Sequence, residues 1–136
     1  MRYLVLLLAL LSPVPVCAEV DISDARIKHL PPSVPVRAGY MTLHNRGDST
    51  LVITGFSSDA FASIEIHRSE MHEGMMRMTP VDNLELTPGE RIELAPGGLH
   101  LMMMQPAESM KPGDEIDTIM RLDDGSETGF TMKVIP

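Results

Sequence analysis

The chain has 136 residues, enough for one domain with a sizeable core and too few for two. With 19 Asp and Glu against 11 Lys and Arg, its formal net charge of −8 disfavours nucleic acid and anionic lipid as partners and favours cations or basic protein surfaces. Aromatic residues make up only 4% and Trp is absent, so any core must be built from Val, Ile, Leu and some of the 12 Met.

The N-terminus reads as a targeting segment. Arg2 precedes an unbroken apolar run from Tyr3 to Leu11, Pro13 and Pro15 end that run, and Val16-Cys17-Ala18 then supplies small residues of the kind a signal peptidase reads. The expectation is a secretory signal over 1–18, cleaved between Ala18 and Glu19, and a single domain over 19–136. The apolar run is short of the ~20 residues that cross a bilayer, so no membrane span is expected after cleavage. Lipidation of Cys17 is the alternative, against which the Pro15-Val16 context stands. Removing 1–18 takes away one Arg and no acid, leaving 10 basic against 19 acidic residues, a net −9. It also removes the single Cys, so the mature chain has neither thiol nor disulfide.

From residue 20 onward short β-branched or alternating stretches predict strands over 20–27, 36–44, 50–56, 63–67, 75–81, 91–94, 99–104, 116–122 and 129–135. Turn signals separate them: Pro31-Pro32, Asn45-Arg46-Gly47-Asp48, Pro96-Gly97-Gly98, Lys111-Pro112-Gly113-Asp114 and Asp123-Asp124-Gly125. Helical periodicity never persists, and no repeat, low-complexity run or linker interrupts the pattern. Many short strands at this spacing predict an all-β sandwich.

One constellation stands out. His67 is followed after ten residues by Met78, then after twenty-one by His100, with Met102 two positions further. Two imidazoles and two thioethers are uncharged donors, and soft sulfur beside imidazole favours Cu(I) over harder ions. If residues 71–74 form a hairpin turn, cross-strand partners have numbers summing to 145, which sets His67 opposite Met78 with Cβ atoms about 5 Å apart. His100 and Met102, two apart on a strand, share a face of the sheet. Blue-copper electron transfer needs a Cys thiolate on the metal, and the mature chain has none.

Each piece also has a plainer reading. Met fills irregular gaps in cores, which suits Met41, Met110, Met120 and Met132; a lone surface His is usually only solvated, which suits His29 and His44. Clustering separates the rest, because seven of the 12 Met lie in 71–78 and 102–104, each cluster accompanied by His. Met71, His72, Met75, Met76 and Met104 are candidates for the rim of the site, while Met103 is expected to point into the core. No nucleophile–base constellation is present, and four protein donors leave a metal no open position for a substrate, so catalysis is not expected.

The spacing His-x10-Met-x21-His-x-Met resembles the signature of the PCuAC family of periplasmic copper chaperones, met without gaps by His67, Met78, His100 and Met102. Further segments resemble the family in order: Ala38-Gly39-Tyr40-Met41-Thr42-Leu43, Ile64-Glu65-Ile66-His67, Gly74-Met75-Met76-Arg77-Met78, Leu94-Ala95-Pro96-Gly97-Gly98-Leu99-His100-Leu101-Met102 and Lys111-Pro112-Gly113-Asp114. The resemblance implies a cupredoxin-like Greek-key β-sandwich in the periplasm with Cu(I) as cargo, and a monomer is expected. It also implies a copper-accepting partner, the CuA centre on cytochrome c oxidase subunit II or another assembly factor. Copper buffering without a dedicated recipient, and a secreted interaction module that binds no metal, are the competing expectations.

Overall fold

The computed structural model of the chain describes residues 19–136, so the expected signal over 1–18 lies outside the described residues. Ten strands and no helix occur among them: β1 (Val20–Lys28), β2 (Val36–Asn45), β3 (Leu51–Ser57), β4 (Phe61–His72), β5 (Met75–Pro80), β6 (Leu84–Leu86), β7 (Arg91–Leu94), β8 (Leu99–Pro106), β9 (Glu115–Leu122) and β10 (Glu127–Ile135). The expected all-β class is met. The short β6 was not expected, because Leu-Glu-Leu gives too little alternation to register as a strand until β3 pairs with it. β4 also runs past residue 67 to His72.

Seven strands close on themselves in the order β4-β8-β2-β1-β10-β9-β3, with β3 returning to β4 through the Phe56–Ile64 pair. The closed sheet is flattened into a sandwich; β5, β6 and β7 extend it beside β4, β3 and β2. Every ladder is antiparallel except β1–β10. β2 changes partner along one edge, pairing with β8 through residues 36–39 and with β7 through 41–44.

Alternation drives the closure. In β2, Arg37, Gly39, Met41, Leu43 and Asn45 are buried while the residues between them are partly exposed. The same period puts Ile64 and Ile66 of β4, and Leu101 and Met103 of β8, into the core. Each such side chain stabilises the fold by about 1.5–3 kcal/mol on burial. Met41, Met103, Met120 and Met132 are completely buried and Met110 nearly so, gap-filling that a core poor in aromatics requires. Phe56 and Phe130 meet edge to face at 6.1 Å.

Two polar side chains inside the sandwich hold its loops. Asn45 Nδ2 donates to the carbonyls of Ser49 and Leu86 while its Oδ1 accepts from the Gly47 amide, so the 45–48 turn is closed from within. Arg37 Nη1 donates to the carbonyls of Val34 (2.6 Å) and Val36, pinning the segment that leads from Pro31-Pro32 into β2. That segment forms one wall of the groove described below.

Gly39 is required by packing. A Cβ there would lie 3.0 Å from Met103 Sδ and 3.2 Å from both Leu101 Cβ and Met132 Cε. Gly39→Ala is expected to lower stability by about 1–3 kcal/mol through overpacking. Denaturant unfolding checks it, and an unchanged midpoint would contradict the packing argument.

Candidate metal centre

The register of three strands assembles the site. In β4–β8, His67 lies directly opposite His100 and Glu65 opposite Met102. The core side chains Ile64, Ile66, Leu101 and Met103 occupy the alternate positions, so His67, His100 and Met102 share the outer face of this sheet. The two imidazole ring centres are 6.0 Å apart and tilted by 52°. Met78 joins from β5, whose ladder with β4 places Ser69 opposite Met78 and His67 opposite Pro80.

That last register corrects the expected pairing. The hairpin turns through two residues, with His72 opposite Met75, rather than through four, so partner numbers sum to 147. Glu73 and Gly74 both have positive φ, 50° and 77°, the requirement of the two-residue turn whose twist matches the flanking strands. Because the shift is two residues, Met78 stays on the face of His67. It becomes a diagonal neighbour, with backbones about 7–8 Å apart, instead of a direct one.

Hydrogen bonds decide which ring nitrogens remain free. Glu65 Oε2 lies 2.7 Å from His67 Nε2, and a carboxylate can only accept, so Nε2 carries the proton. In the neutral ring His67 Nδ1 then keeps its lone pair, and this atom is buried and without a hydrogen-bond partner. In His100 the assignment is reversed: Nδ1 donates to the Gly98 carbonyl at 3.1 Å, which leaves the Nε2 lone pair free. The same carbonyl accepts the Ser69 amide at 3.1 Å, so one group orients His100 and ties β4 to the turn before β8. That turn requires Gly97 at φ +84°.

Exposure is graded across the set. His100 is 7% exposed, Met102 is half-buried, and Met78 is 55% exposed. An open groove of about 270 Å³ runs beside them, lined by Leu30, Val34, Ala38, Tyr40, Pro96 and Met102 among others. Among the described residues no group of three or more His, Cys, Asp or Glu is arranged to hold a metal ion.

Of the expected rim residues, Met71 and Met76 oppose one another on the same face as Met78. Met104 lies on the outer face of β8, opposite Ser63 and Val36. His72 and Met75 do not border the site: they form the next pair along the ribbon, and strand alternation turns them to its other face. Met103 is fully buried. The spacing Glu65-x-His67 on a strand puts the carboxylate on the imidazole's face, but the sequence does not identify Glu65 and the Gly98 carbonyl as the acceptors of the two rings.

The architecture belongs to a class of solved domains. The copper-bound PCuAC domain from PmoF2 superposes with a TM-score of 0.73, covering 87% of this chain and 93% of that domain at 19% identity. The solution structure of Cu(I)-DR1885 from Deinococcus radiodurans gives a TM-score of 0.63, covering 93% and 81% at 25% identity. The fold is thus that of PCuAC domains, and the expected cupredoxin-like sandwich is met. By sequence, residues 20–134 match the model of the LpqE-like family, described as "Putative lipoprotein LpqE-like", and the chain belongs to that family. It is 31% identical over 98 residues to "Uncharacterized protein RP573" of Rickettsia prowazekii (strain Madrid E), a stretch covering 71% of this chain and 54% of that protein. The chain therefore spans about half the length of that relative.

The hydrogen bonds predict opposite tautomers for the two imidazoles, Nε2–H in His67 and Nδ1–H in His100. Nitrogen NMR of the metal-free protein checks this, and the same tautomer at both sites would contradict it. Glu65→Gln is expected to loosen the preference at His67 and leave that at His100 unchanged.

Proposed function

We propose that this chain is an exported Cu(I)-binding metallochaperone in which His67, Met78, His100 and Met102 hold one ion. The observation that carries the reading is the buried, unpartnered lone pair of His67 Nδ1, 6.0 Å between ring centres from a second imidazole and on a face with two thioethers. A buried acceptor without a partner is costly, and a soft cation would satisfy it. Glu65 and Gly98 support the same reading, since a carboxylate or carbonyl on the distal nitrogen is how ligating imidazoles are commonly oriented. Likeness in fold to the copper-bound PmoF2 domain and to Cu(I)-DR1885 adds to it.

The donor set suits handover. Four neutral donors add no negative charge to offset a higher oxidation state, which disfavours Cu(II) and Zn(II) relative to Cu(I). Met78, 55% exposed, is the donor an incoming protein reaches first, and a recipient rich in thiolate or imidazole would take the ion by stepwise ligand exchange. That accessibility favours delivery over storage. The proposed recipient is the CuA centre of cytochrome c oxidase or another assembly factor, an assignment that rests on the PCuAC resemblance.

Residues 1–18 are proposed to direct export to the periplasm. Cleavage after Ala18 would leave a chain beginning at Glu19, whereas processing at a lipidated Cys17 would leave an anchor, consistent with the description of the family. The intact mass of the exported protein separates the two.

Titration with Cu(I) against a chelator is expected to saturate at one tight equivalent, and saturation at zero would refute the reading. His100→Asn combined with Met102→Leu is expected to abolish that site with the β-sheet circular dichroism unchanged. Glu65→Gln is expected to weaken it by about 10–100-fold, the usual effect of losing the partner of a ligating imidazole.

A further inference from the structure

We propose a second Cu(I) station outside the four-donor site: a thioether cluster of Met71, Met76 and Met78 on the β4–β5 ribbon that captures the ion and passes it inward. This inference rests on the proposed Cu(I) function. Its starting point is an exposure that folding does not explain. Met71, Met75, Met76 and Met78 are 69%, 68%, 55% and 55% exposed, and the other exposed large hydrophobic among the described residues, Ile119 at 38%, lies on a different strand. Concentrated apolar exposure of this kind usually marks a binding surface.

The register sorts the ribbon into two unlike faces. On the face of His67 the pairs are Ser69–Met78 and Met71–Met76, which brings three thioethers together with no charged side chain between them. Arg68, Glu70, Arg77, His72 and Met75 occupy the other face. Met71 and Met76, directly opposed, have Cβ atoms about 5 Å apart. Met76 and Met78 are separated by about 6.6 Å of strand, a gap that flexible thioether side chains can close. A purely apolar docking strip would be better served by Val or Ile, which favour strands, and the chain uses both freely in its other strands. Three exposed Met in their place supply sulfur, which a merely apolar strip would not need.

Met78 belongs to both stations. An ion held by Met71, Met76 and Met78 can exchange the first two sulfurs one at a time for His67, His100 and Met102 while Met78 stays bound. Copper remains Cu(I) throughout, and no electron or proton moves with it. Reversal of the same steps releases the ion toward a recipient docked on the ribbon, so the cluster should change rates in both directions without changing the depth of the inner site.

The test uses the exported chain with Cu(I) supplied as its bicinchoninate complex and followed by chelator absorbance. Met71→Leu combined with Met76→Leu, which keeps the apolar surface and removes the sulfur, is expected to slow uptake and release alike by about tenfold, the loss of a local capture site. Equilibrium affinity should stay within about twofold, because the four inner donors are untouched. His72→Asn combined with Met75→Leu, on the opposite face, should leave both rates unchanged. Unaltered rates in the Met71 and Met76 variant would overturn the proposal, as would loss of tight affinity, which would make those sulfurs part of the inner site. In the His100→Asn, Met102→Leu variant, Ag(I) should still shift the methyl resonances of Met71 and Met76, and their absence would also overturn it. Failure of the underlying function shows differently, as a wild-type chain with no tight Cu(I) site or a His100, Met102 variant with undiminished affinity.

Discussion

The pairing of β4 with β8 is the constraint on which the rest of the site depends. Side chains alternate across a strand, so the register that buries Ile64 and Ile66 against Leu101 and Met103 must also turn His67, His100 and Met102 outward together. A slip of one residue would carry the imidazoles into the core and the aliphatic side chains into water. The hydrophobic effect therefore holds the polar face in place, and two His side chains stand opposite one another because their neighbours in sequence are committed to the interior. Gly39 contributes to the same constraint, letting β2 lie close enough to β8 for Leu101 and Met103 to fill the space a side chain would occupy.

On that frame, local hydrogen bonds set the chemistry. Glu65 and the Gly98 carbonyl each take a proton-bearing nitrogen, one from each imidazole, and so present one lone pair from each ring. Neither acceptor is itself placed among the four proposed donors, which keeps that set neutral. Gly98 also accepts the Ser69 amide, so the orientation of His100 is coupled to the point where β4 leaves the sandwich and becomes a free ribbon. The ribbon carries all its Met into solvent, and the four proposed donors shade from buried to exposed as it is approached. A gradient of accessibility of this kind suits the proposed uptake and release of an ion.

The β class was legible in the chain because period-two alternation and Gly/Pro turns are local signals, and because β2, β8 and β9 each bury one face. The donor types were legible too, from the clustering of His with Met, and so was the common face of His100 and Met102, which needs only their separation by two. The β6 strand was not legible, since three residues make a strand only when β3 supplies the partner. The hairpin register was misjudged by two residues because Met71-His72-Glu73-Gly74 reads equally well as a four-residue turn. The β4–β5 register and the left-handed backbone at Glu73 and Gly74 show the loop to be shorter.

By itself the sequence determined an all-β chain whose uncharged nitrogen and sulfur donors fall at set intervals, because composition, alternation and spacing are properties of the covalent chain. Tertiary structure decided which of those donors meet. His67 and His100 lie thirty-three positions apart, and no local rule pairs them; the closure of β4 on β8 does. It also decided that Met71, Met76 and Met78 share a face while His72 and Met75 do not, since the two-residue turn sets where each pair falls along the ribbon. The free nitrogen of each imidazole is instead a local matter, fixed by an acceptor two residues earlier on the same stretch of chain, Glu65 for His67 and the Gly98 carbonyl for His100.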